Sequence, residues 1–155
     1  MKLRTQILCL GIAGAALVSA AGGIGWLAVS SMAAKVEASA RAGQALQASQ
    51  SADMMHDAVR GDAQRALLAV MKGDAPTIAA AQADLADHIA TFDTALKKIA
   101  EAGVEAEAQK ALSATLPVVA QYTQAAQAVI AGAAQGVAQA EAQMPTLDKA
   151  FAQLE

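Results

Sequence analysis

The sequence predicts an all-α protein in which a transmembrane helix continues into an antiparallel, up-down four-helix bundle with a truncated fourth helix. Three observations carry this expectation. Hydrophobic residues make up 55% of the 155-residue chain while aromatics make up only 3%, because much of the apolar count is alanine, the best helix former. Residues 5–34 form a run of 30 positions without a charge. Beyond that run, apolar residues recur at helical spacing and are interrupted by turn-forming Gly and Pro.

The N-terminal segment opens with Lys2 and Arg4, and residues 1–6 read as a cationic, cytoplasmic n-region. Residues 7–29 follow as the transmembrane helix, since a span needs roughly 20 apolar residues. Trp26 lies near the far end of the run, where an indole favours the headgroup layer. The positive-inside rule keeps the N-terminus in the cytoplasm and places residues 30–155 outside it. A cleaved signal peptide is the rival, with Val18-Ser19-Ala20 as its small-residue site. Hydrophobicity resumes through Ile24, Trp26, Leu27 and Val29, a stretch that a cleaved precursor does not need. Both readings export the remainder of the chain.

The exported part divides into four helices, expected at about 30–71, 76–101, 105–130 and 137–155. In the first, Ala45, Ala48, Ala52, Met55, Val59, Ala66 and Val70 mark the apolar line. Gly73 suits a C-terminal cap, Asp74 an N-cap, and Pro76 the first turn of the second helix. The second helix has the line Ile78, Ala81, Leu85, Ile89, Phe92, Leu96 and Ile99, and Ala102-Gly103-Val104 ends it. Pro117 removes a donor from the third helix and predicts a kink. Pro145 is expected to interrupt the early part of the fourth. The fourth helix has only 19 positions by residue 155, against 42 for the first. An equal return would reach about residue 180 at 1.5 Å per residue, where a second membrane span is expected.

Charged residues collect on the first two outer helices. Asp53, Asp57, Arg60 and Gln64 are spaced by four, three and four, which places them on one helix face with His56 beside them. An antiparallel second helix that turns at residues 73–74 would set Arg60 opposite Asp87 and His56 within a turn of His88, with Asp84 close by. Three readings fit this pattern. It is a solvated face laced with ion pairs. Or it faces a dimer partner or a small-ligand pocket, with Arg60 as the anion contact through its planar fork and His56, Asp57 and Asp53 beside it. Or His56 and His88 join a carboxylate to hold Zn²⁺ or Cu²⁺.

Other residues read as structural. Met54 and Met55 read as packing rather than haem ligands, and there is no CxxCH motif. Phe92, Tyr122 and Phe151 read as core fillers. Cys9, the one cysteine, excludes a disulfide framework within the chain. No GxSxG, HExxH or phosphate loop is present, so no enzyme activity and no cofactor are expected. The net charge of −3 and the lack of a basic stripe argue against nucleic acid.

The segment Ala52-Asp53-Met54-Met55-His56-Asp57-Ala58-Val59-Arg60-Gly61-Asp62, continuing through Arg65-Ala66-Leu67-Leu68, resembles the first periplasmic helix of a group of bacterial methyl-accepting chemotaxis proteins. Asp84-Leu85-Ala86-Asp87-His88 with Phe92, then Pro117 with Tyr122, then Phe151-Ala152-Gln153-Leu154-Glu155, look like the later helices of that group. The resemblance implies a bacterial inner-membrane receptor with one span in this chain and its bulk in the periplasm. It implies a homodimer that binds a small molecule or a periplasmic binding protein, and that reaches a chemotaxis kinase complex only through parts outside this chain. An exported or membrane-anchored helical bundle with a structural or metal-binding role is the alternative.

Overall fold

A computed structural model describes residues 3–103 and 105–155. Met1 and Lys2 of the expected n-region, and Val104 of the expected α2–α3 turn, lie outside the described residues, as do the side chains of residues 3–10 and Ala13. Every element among the described residues is helical. These are α1 (Leu3–Lys72), α2 (Ala75–Glu101), α3 (Ala106–Ala133) and α4 (Val137–Ala152). Packing divides the chain into two units, Met1–Arg41 and Ala42–Glu155.

In the first unit the described apolar side chains face outward. Leu17, Val18, Ile24, Trp26, Leu27 and Val29 are all exposed. α1 is long and apolar enough to cross a membrane, with an 18-residue window of mean hydropathy 1.5 and none of that window buried. Burying such side chains is worth roughly 1.5–3 kcal/mol each, so a surface of this kind favours an apolar phase over water. The helix continues through Gly22, Gly23 and Gly25.

In the second unit the expected apolar lines turn inward. Ala48, Ala52, Val59 and Ala66 of α1 are buried, as are Ala81, Leu85, Phe92 and Leu96 of α2. Met55, Val70, Ile78, Ile89 and Ile99 pack against them half-buried. From α3 and α4 the core takes Val119, Tyr122, Ala126, Val129, Ala140, Leu147 and Phe151.

The α1–α2 turn rests on Gly73, Asp74 and Thr77. The peptide N–H of Gly73 donates to the Val70 carbonyl and that of Asp74 to the Ala69 carbonyl. This is the Schellman pair that satisfies the last carbonyls of a helix, and it needs Gly73 at φ 69°. Asp74 then caps α2: its carboxylate accepts from the Thr77 N–H at 3.2 Å and from the Thr77 hydroxyl at 2.7 Å. Those two bonds, the hydroxyl first, hold its pKa below the ordinary 3.8. The stabilisation from this cap is therefore present above that value and is lost as the pH falls below it.

Pro145 does not interrupt α4 as expected, and Pro117, where a kink is expected, lies inside α3. α3 runs through Pro117 to Ala133, three residues past the expected end, and α4 runs through Pro145. Each proline lacks one donor, and packing of the surrounding helix outweighs that loss. Tyr122, near Pro117, and Leu147, near Pro145, are wholly buried.

Where α3 meets α4 the backbones nearly touch. A Cβ placed on Gly132 would lie 2.7 Å from the Gln139 carbonyl oxygen and 2.9 Å from the Ala140 nitrogen. Gly61, by contrast, has nothing within 4 Å of its Cβ position. Gly132→Ala is expected to destabilise the bundle by about 1–3 kcal/mol, as overpacking does. Gly61→Ala should instead stabilise it by about 0.5–1 kcal/mol through lower unfolded-state entropy. Urea unfolding of the two variants beside wild type checks both; an undiminished Gly132→Ala protein would contradict the close approach.

Candidate functional site

The site residues belong to the second unit, and they form two clusters with α1 common to both. The first joins α1 to α2. Asp62, 5% exposed, is the one buried charged residue among those described. Its Oδ2 lies 2.6 Å from His88 Nδ1, and its Oδ1 lies 3.4 Å from an Arg65 terminal nitrogen. The same Arg65 nitrogen is 2.6 Å from Asp84 Oδ2. Asp62 and Arg65 are three apart on α1, and Asp84 and His88 four apart on α2, so each pair shares a helix face. A carboxylate buried this deeply is costly without partners, and His88 and Arg65 supply them, Arg65 being held in turn by Asp84.

The second cluster joins α1 to α3 and α4. The His56 imidazole stacks on the Phe151 ring at 4.2 Å between centroids with 12° between planes. The Tyr122 ring meets His56 edge-on at 5.0 Å. The Arg60 guanidinium carbon also lies 4.2 Å from the Phe151 centroid, and a terminal nitrogen of Arg60 is 3.1 Å from Asp148 Oδ1. The Tyr122 hydroxyl donates to the backbone carbonyl of His56. Aromatic pairs of this type add about 0.5–1.5 kcal/mol beyond area burial, and a cation over a ring about 0.5–1 kcal/mol where exposed. The ion pair adds less, since both side chains are substantially exposed, at 36% and 51%, and solvent screens them.

Several expected neighbours are not brought together. Arg60 pairs with Asp148 rather than Asp87. The observed α1–α2 contacts, Asp62 with His88 and Arg65 with Asp84, are offset by two to three residues from the register expected from the turn. His56 and His88 take different partners, one facing Phe151 and the other Asp62. Among the described residues no group of three His, Cys, Asp or Glu side chains is placed to hold a metal ion. Asp53, Asp57, Gln64 and Asp87 are exposed and join no ion pair among the described residues.

Sequence reasoning left out Asp62, Arg65 and Asp148 as contact residues. Asp62 was findable: it lies three residues after Val59 and four before Ala66, in phase with the buried line, where a charge demands a partner. Asp148 carries no such signal, because its pairing depends on the approach of α4 to α1. No protein-family model, no curated protein and no solved structure matches the chain.

Tyr122 offers a direct probe of the second cluster. Burial pushes its phenol well above the ordinary 10.0, while the neighbouring Arg60 amide and charge act in the opposite sense. Because the folded-state value is raised, this contribution to stability is complete below pH 10 and declines above it as the unfolded chain ionises. Tyr122→Phe should cost about 1 kcal/mol near neutral pH through the lost hydrogen bond. It should also flatten the decline in stability above pH 10. Denaturant unfolding from pH 7 to 11 reads both; an unchanged alkaline slope would show that Tyr122 ionisation does not drive it.

Proposed function

We propose that this chain is the sensory input module of a bacterial chemotaxis transducer, anchored in the inner membrane by residues 7–29 with its bundle in the periplasm. The observation that carries the proposal is that a single helix, α1, bears both the apolar stretch and the residues of both polar clusters. The resemblance of residues 52–68 to the first periplasmic helix of such receptors supports the same reading.

The bundle is proposed as antiparallel and up-down. In support, the α1–α2 contacts run in opposite senses, residue 62 meeting 88 and residue 65 meeting 84. The turns at Gly73-Asp74 and 134–136 are short, as antiparallel neighbours require. A homodimer through α1 is part of the proposal. Gly43, Leu46, Met54, Gly61, Leu68 and Met71 form an outward stripe on that helix, with the large members 55–65% exposed. The 7-residue steps from Met54 to Gly61 to Leu68 match a helix-pairing seam.

The proposed mechanism is binding without catalysis. An anionic ligand, free or delivered by a partner protein, engages Arg60 with His56 beside it. It biases two arrangements of the helices, which requires different affinity for each.

Alkaline phosphatase fused after Glu155 in bacterial cells should be active, as it is only outside the cytoplasm. Calorimetry on the purified chain in lipid nanodiscs, run with small carboxylates, nitrate and phosphate, should give saturable binding of at least one anion that Arg60→Ala weakens at least tenfold. An inactive fusion would sink the orientation; no anion binding in a dimeric sample would sink the sensing site.

A further inference from the structure

Two nitrogens in the α1–α4 cluster are buried without a hydrogen-bond partner: Nε2 of His56 and Nε of Arg60. Buried polar atoms in folded proteins are nearly always paired, so an orphan marks a place for a missing partner. These two lie one helical turn apart on α1, and both side chains rest on Phe151. Arg60 is meanwhile used on one side only, through a single contact of 3.1 Å to Asp148 Oδ1. That is longer than the roughly 2.7–2.9 Å of a strong charge-assisted bond, and it lacks the two-point geometry that a guanidinium offers a carboxylate.

We propose that Asp148 is an internal occupant of the Arg60 anion site, and that a small carboxylate from solution competes with it and draws α4 away from α1. The inference rests on the anion-binding reading of Arg60 given above and adds to it the competitor and the coupled movement. Asp148 is 51% exposed, so its hold on Arg60 is screened and weak. A free carboxylate can take the edge of the guanidinium that includes Nε, and it can accept from His56 Nε2 when that nitrogen carries the proton.

Phe151 lies against both side chains and sits three residues beyond Asp148 on the same face of α4. Access to Nε therefore requires movement of the helical turn that carries Asp148. Ligand entry and release of the α4 contact become one event, because the ligand replaces Asp148 on Arg60 and Phe151, on the same turn of α4, moves with it. A site closed by the moving helix has the differential affinity that a two-state sensor needs.

The test titrates acetate, at constant ionic strength set with chloride, into the full chain in nanodiscs by calorimetry. Asp148→Asn should bind acetate about three- to fivefold more tightly than wild type, the ratio set by losing a half-exposed ion pair. Asp148→Ser should do the same, and Asp148→Glu should keep the wild-type affinity. Arg60→Gln should bind at least tenfold more weakly. In wild type, saturating acetate should speed amide hydrogen exchange across residues 147–152. If Asp148→Asn and Asp148→Ser match wild type while Arg60→Gln loses binding, the competition is wrong and the anion site stands. If Arg60→Gln also matches wild type, or no protein binds acetate, the carboxylate site itself fails. Tighter binding by the Asp148 variants with unchanged exchange in 147–152 would overturn the coupled movement.

Discussion

The stack of Phe151 against His56 and Arg60, with Tyr122 edge-on to His56, is the contact on which the arrangement of α1, α3 and α4 depends. Most other buried positions in these helices are alanine or valine, which bury little area each and specify little about register. A ring in contact with two residues one turn apart on α1 is different: sliding α4 by a turn would remove it from both. The Tyr122 hydroxyl adds a directional tie, since a buried phenol must find an acceptor and here it finds the His56 carbonyl. One turn of α1 thus receives a hydrogen bond from α3, a stacked ring from α4 and an ion pair to α4.

The alanine-rich core sets the second constraint. Small side chains stabilise a bundle only when helices approach closely, and at Gly132 the approach leaves no room for a methyl group. On the other side of α1, specificity comes from charge. Asp62 is buried and can be satisfied only if Arg65 and His88 stand where they do. Burying the Asp62 carboxylate costs desolvation, and removing one of its partners is more damaging than never having had the charge there. The two faces of α1 are therefore fixed by different means: aromatic packing toward α3 and α4, and a satisfied buried carboxylate toward α2.

Much of this was legible in the sequence where short-range rules apply. The helix line on α2 from Ile78 to Ile99, the Gly73-Asp74-Pro76 turn and the apolar stretch at residues 7–29 depend on neighbours within about one turn, and periodicity and capping chemistry expose them. Pro145 was misjudged because a lost donor in α4 is a local cost, whereas the burial that outweighs it comes from other helices. The site was legible as a collection of residues but not as contacts. His56 and Arg60 were singled out, yet their partners Phe151 and Asp148 are about 90 residues away in sequence, and no local pattern brings them together. The α1–α2 pairing was anticipated to within one helical turn, but an offset of two to three residues is enough to exchange Asp87 for other neighbours.

The claim that the Phe151 stack holds α1 to α4 is most directly tested by a double-mutant cycle on Arg60→Ala and Phe151→Leu, measured by urea unfolding of the full chain in nanodiscs. If the two side chains act on each other as described, removing both should cost less than the sum of the single losses, with a coupling energy of about 0.5–1.5 kcal/mol. Additive losses, with coupling indistinguishable from zero, would contradict the account.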